Sequence, residues 1–211
     1  METPREGEYD ASSRGHLARA RVHFATGTKE SLFYAALELR YGIEARLHEY
    51  LGGGVNVVAT KKKPWQIGHL GRDVKKVFGS HDKPVVIVLT LPETAKQLKV
   101  EYTPVTRSLQ ELGKKLGKYL HRIDPKEAEN EKFWTALRTL VAKGVTGLAV
   151  ATKGTLLGPP YSPEPNKIKF RFEKEALQFL GQKPGAKVAI NMNLVLVEKD
   201  EKNNRFTLRP V

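Results

Sequence analysis

The chain has 211 residues, 40% of them hydrophobic and 28% charged, a size and balance that suit one large packed domain or two small ones and exclude wholesale disorder. Thirty-six Lys and Arg against 23 Asp and Glu give a formal charge of +13, so a polyanionic partner is the first expectation. Cys is absent, which excludes disulfides, thiolate metal sites and a cysteine nucleophile, and no apolar run approaches the roughly 18–20 residues of a membrane span.

Residues 1–12 read as a tail, and the acidic, polar start from Met1 to Asp10 has no feature of a signal peptide. The expected location is cytoplasmic, without membrane contact. Arg14 to Phe24 reads as a short helix closed by Gly27, and Thr28 can cap a longer one that runs to about Leu51 and stops at Gly52-Gly53-Gly54. Residues 55–82 are basic and mostly irregular, with a helical turn or two around Gly71–Phe78. The run Val85–Leu91 is apolar on both faces and β-branched, the pattern of a buried strand, and Lys99–Thr103 is a second strand to pair with it.

A helix is expected from about Val105 to Ile123. Asp124-Pro125 opens another, carrying Phe133, Leu137 and Leu140 and ending at Gly144. From Val145 the texture reads as strands: Val145–Thr152, Lys167–Glu173, Ala186–Glu198 and Arg205–Leu208, with the Pro-rich stretch Gly158–Pro165 as a surface loop. The expected fold class is α+β: a helical bundle of three or four helices with an inserted strand pair, followed by a β-rich C-terminal part. The expected organisation is a tail (1–12), a mainly helical part (13–144) with strands near 84–103, and a β-rich part (145–211) packed on it as one unit.

The long helix carries the first candidate chemistry. Leu32, Ala36, Leu39, Ile43, Leu47 and Tyr50 form its apolar stripe, widened by Phe33, Leu37 and Leu51. Beside that stripe lie Arg40, Glu44 and His48, spaced i, i+4 and i+8. Arg40 suits a phosphate, with Glu44 tuning His48 for proton transfer. The plainer reading is an Arg–Glu pair at a bundle edge with a polar neighbour.

Two segments carry most of the charge. From Tyr50 to Ser80 there are six Lys or Arg (Lys61, Lys62, Lys63, Arg72, Lys75, Lys76) against Asp73, a net +5. Lysines beside Trp65 suit phosphate contact with base stacking, the combination used on single strands, unless Trp65 is buried and the lysines form a solvated loop. Val105–Arg122 holds five Lys or Arg against Glu111, a net +4, with Arg107, Lys114, Lys118, His121 and Arg122 facing largely outward. Gly113 and Gly117 mark one flank of that helix as a place where another backbone can approach closely. Lys167, Lys169 and Arg171 add a basic strand face. The triple glycine at 52–54 follows a helix and lacks a Gly-Lys-Ser/Thr continuation, so it is no phosphate loop. The six histidines show no metal-ligand spacing, and no metal or cofactor is expected.

The segment Leu37-Glu38-Leu39-Arg40-Tyr41-Gly42-Ile43-Glu44-Ala45-Arg46-Leu47 resembles the central helix of HEPN-like helical proteins, over roughly residues 13–143. The resemblance implies a role in prokaryotic defence or stress, as a metal-independent ribonuclease or as an inactive RNA-binding partner of one. The family's catalytic signature is Arg, four to six residues, then His. This chain has seven residues between Arg40 and His48 and three between Arg19 and His23, a departure that favours binding over cutting. Three functions are therefore carried forward. The first is a protein that binds RNA or single strands through phosphate contacts. The second is a ribonuclease using His48 or His121 with Arg40 and Glu44. The third is an assembly module pairing its strands with a protein partner or a second copy.

Overall fold

The structure is a computed structural model, and it describes residues 9–52, 66–78, 82–90, 97–121, 124–159, 161–164, 167–169, 191–200 and 205–210. The chain divides into two compact units, each assembled from two stretches: residues 1–77 with 105–152, and residues 78–104 with 153–211.

The first unit is helical. α1 (Ser13–Thr26) is capped by Ser12, whose side chain accepts from Gly15 N, and ends at Gly27 with φ of 80°. That left-handed conformation is one a side chain with a Cβ adopts only under strain. Thr28 then caps α2 (Lys29–Leu51) by accepting from Ser31 N. The expected stripe of α2 is its buried face: Leu32, Ala36, Leu39, Ile43, Leu47 and Tyr50 are all in the core. Full burial of each leucine or isoleucine stabilises the fold by roughly 1.5–3 kcal/mol relative to exposure. α2 packs against α1, α4 (Arg107–Tyr119) and α6 (Glu131–Ala151), so it is the central helix. Leu109 and Leu116 of α4 and Leu137, Val141 and Leu148 of α6 close the core around it. α3 (Ile67–Phe78) contributes Ile67, Leu70 and Val74. The short α5 (Pro125–Ala128) is capped by Asp124 with Pro at its start. Arg46 is 1% exposed, with Nε donating to Ala151 O at 3.0 Å and Nη1 to Glu49 Oε2 at 2.9 Å. Its neighbour Tyr50 has its hydroxyl pushed up to about 12 by burial.

The second unit contains a four-stranded antiparallel sheet in the order β2-β1-β5-β6, formed by β1 (Val85–Thr90), β2 (Gln97–Tyr102), β5 (Asn191–Asp200) and β6 (Arg205–Pro210). β1 sits between β2 and β5, with Ile87 opposite Val100 on one side and Leu194 on the other. An apolar run with no polar face is what such a central strand requires. Residues 154–156 follow β2, with Leu156 N donating to Glu101 O and Glu101 N to Thr155 Oγ1. β3 (Tyr161–Glu164) and β4 (Lys167–Lys169) form a separate antiparallel pair.

The expected fold class is corrected in one respect. The chain after the strand pair is not β-rich from residue 145: α4, α5 and α6 carry it as helix to Ala151, and Val145–Ala151, read as strand, is the last two turns of α6. The inserted strand pair is present as the antiparallel β1 and β2, and β1 also pairs with β5. The misreading turned on Gly144, taken as a helix stop. A Cβ on Gly144 would lie 2.9 Å from Leu39 Cδ1 and 3.2 Å from Leu112 Cδ2, so this glycine admits neighbouring helices rather than ending its own. Among the described residues, no helix is long and apolar enough to cross a membrane.

Candidate nucleic-acid interface

Three stretches of the helical unit converge on one cleft of about 420 Å³. α2 supplies Arg40. α3 supplies its first turn, Ile67, Gly68 and His69, and Arg72. α4 supplies Gly113, Lys114, Gly117 and Lys118, followed by His121. Helical spacing explains each contribution: 114 and 118, 113 and 117, and 68 and 72 are all i, i+4 pairs on a single face. Among the described residues, no carboxylate lines the cleft.

The glycines set how closely the cations approach. A Cβ on Gly117 would lie 2.8 Å from Arg40 Nη1, and one on Gly68 would lie 3.0 Å from Lys114 Cε. Bare backbone at these two positions therefore lets the guanidinium lie along α4 and the lysine stem along α3. A Cβ on Gly113 would meet Ile67 Cδ1 at 2.5 Å, so the start of α3 seats directly on α4. In the first turn of α3, His69 N donates to Gln66 O at 2.8 Å and Leu70 N to the same oxygen at 3.0 Å.

Two cations of the cleft carry a partner. Arg40 Nε donates to Glu44 Oε1 at 3.2 Å, and Lys114 Nζ to Glu111 Oε1 at 2.7 Å, a bond that holds the Glu111 carboxyl below its ordinary value. The side chains of Arg72, Lys118, His69 and His121 make no hydrogen bond or ion pair among the described residues. Among the described residues, two of the four Lys and Arg side chains of the cleft are thus compensated by a carboxylate and two are not.

The Arg40–Glu44–His48 row is divided between two surfaces. Eight residues advance a helix about 80° beyond two full turns, so Arg40 and His48 face different ways. His48 lines a second cavity of about 660 Å³ with Tyr9, His16, Tyr41, Glu44 and Glu49. Glu44 lies between the two, 9% exposed. Burial raises its carboxyl above the ordinary value, and the Arg40 hydrogen bond and charge and the His48 charge pull it back only in part. Of the four candidate catalytic residues, Arg40 and His121 thus share the cleft, while Glu44 touches Arg40 and His48 stands apart. Among the described residues, no three His, Asp or Glu side chains are placed to hold a metal ion.

Of the basic residues, Arg72, Lys114 and Lys118 line the cleft. Lys75 and Lys76 are exposed on α3, and Arg107 is exposed at the start of α4. Lys167 and Lys169 are in β4. Lys61, Lys62, Lys63, Trp65, Arg122 and Arg171 lie outside the described residues. His69, read from the sequence as a loop residue, belongs to α3 and lines the cleft. Its place one residue after Gly68 and three before Arg72 is the pattern that could have found it. No protein-family model, curated protein or solved structure matches the chain.

Proposed function

We propose that this is a cytoplasmic protein that binds RNA or other single strands by their phosphates, with the cleft between α2, α3 and α4 as its principal contact. The observation that supports the reading is the convergence of Arg40, Arg72, Lys114 and Lys118 from three helices on one cleft with no lining carboxylate among the described residues. Scattered surface lysines would have explained a charge of +13 equally well; a shared concave wall is more selective. Arg contributes a planar fork that fits phosphate oxygens, and Lys a mobile point charge. Sequence readout is not part of the proposal, because phosphate contacts position a strand without distinguishing bases. From the HEPN-like resemblance we also propose a role in prokaryotic defence or stress.

A second reading is a metal-independent ribonuclease, favoured by one observation: Arg40 and His121 line the same cleft. There Arg40 would hold the scissile phosphate and His121 would move the proton, with the substrate 2′-OH as nucleophile. Both readings are tested by incubating the protein with single-stranded RNA and matched DNA at low salt, measuring binding, and running the samples on a denaturing gel. Intact, bound RNA supports the binding protein. RNA cut and DNA spared, with cutting abolished by Arg40→Gln or His121→Ala, supports the nuclease. No binding of either strand at low salt contradicts both.

A further inference from the structure

We infer that the cleft receives the terminal phosphate of a strand rather than tracking its internal backbone, an inference that rests on the nucleic-acid reading above. The cationic groups line one cleft of about 420 Å³, near the small end of the roughly 300–1,000 Å³ typical of small-ligand pockets. That is room for about one nucleotide. An internal phosphodiester brings one negative charge, whereas a terminal monoester carries about −1.5 to −2 at neutral pH and three acceptor oxygens. Arg40, Arg72, Lys114 and Lys118 supply four cations to this cleft, of which Arg72 and Lys118 have no carboxylate partner among the described residues. A dianion matches that density better than a diester does.

Gly117 gives the inference a test that leaves the charge unchanged. Alanine there would place its Cβ 2.8 Å from Arg40 Nη1, the far end of a flexible side chain, which can move away while the helix is kept. The experiment compares binding of one short RNA sequence bearing a phosphate at its 5′ end, at its 3′ end, or at neither. A phosphorylated end is expected to tighten binding about tenfold over hydroxyl ends. Gly117→Ala and Lys118→Gln are each expected to remove most of that preference, weakening the binding of phosphate-ended RNA more than that of hydroxyl-ended RNA. Lys118 is exposed, so its variant keeps the test open should Gly117→Ala fold poorly.

Equal affinity for all three RNAs overturns the inference and leaves the nucleic-acid reading standing. A preference that survives in both variants places the terminal phosphate elsewhere and also overturns it. Displacement of phosphorylated RNA by an equimolar free nucleoside monophosphate would assign the cleft to the free nucleotide, against the inference. Absence of any RNA binding removes both this inference and the reading beneath it.

Discussion

Glu38 and Glu44 both project from α2 into half-buried or buried surroundings, and their carboxyls are displaced in opposite directions. Burial raises Glu38, but it receives His16 Nδ1 at 2.7 Å and lies 3.1 Å from Arg19 Nε, and these two partners bring it below the ordinary value of 4.5. Glu44 receives the single bond from Arg40 at 3.2 Å, and burial prevails, leaving it above that value. The signs for stability follow. A depressed carboxyl contributes stability that is fully present above the unfolded value of 4.5 and is lost as pH falls through the folded one; a raised carboxyl opposes folding as pH rises through its folded value. Glu38→Gln is therefore expected to destabilise the protein by about 1–3 kcal/mol at neutral pH, measured by urea unfolding. The difference from the parent should disappear once pH falls below the folded value of Glu38. An equal loss at both pH extremes would assign the effect to packing instead.

At the scale of elements, α2 is held by its start as much as by its stripe. Thr28 Oγ1 accepts from Ser31 N at 3.1 Å, and Thr28→Ala should lower stability by about 0.5–2 kcal/mol in the same assay, whereas Thr28→Ser should be nearly neutral. Loss from both substitutions alike would show that the methyl group, not the hydroxyl, matters at this position. Such local devices were legible in the sequence: the caps at Thr28 and Asp124, the apolar stripe of α2 and the β-branched run of β1 each depend on residues a few positions apart. What the sequence hid was long-range. Gly144 and Gly68 look alike as helix breakers, yet one is filled by Leu39 and Leu112 and the other by Lys114. Whether a glycine ends a helix or admits a neighbour depends on elements distant in sequence. The same ambiguity concealed the last turns of α6 and the first turn of α3, and with it His69. The Arg40–Glu44–His48 row was legible as a line but not as two surfaces, because small angular offsets along a helix accumulate.

Across the whole molecule, a charge of +13 would by itself favour salt-sensitive association with a polyanion, so affinity alone would be a weak discriminator of the proposed cleft. The cleft makes a narrower claim: a few identified cations contribute far more than others equally exposed. Arg72 and Lys118 line it, while Lys126 and Lys132 are exposed on α5 and at the start of α6. Removing either pair changes net charge by the same amount, which separates a local contact from a general field. The most direct measurement is the dependence of RNA affinity on salt for the parent, for Arg72→Gln/Lys118→Gln and for Lys126→Gln/Lys132→Gln. With about 0.7 in log–log slope per phosphate neutralised on a single strand, the cleft pair should flatten the slope by about 1.4 and the control pair by little. Equal slopes for the two double variants would contradict the cleft as the site of binding.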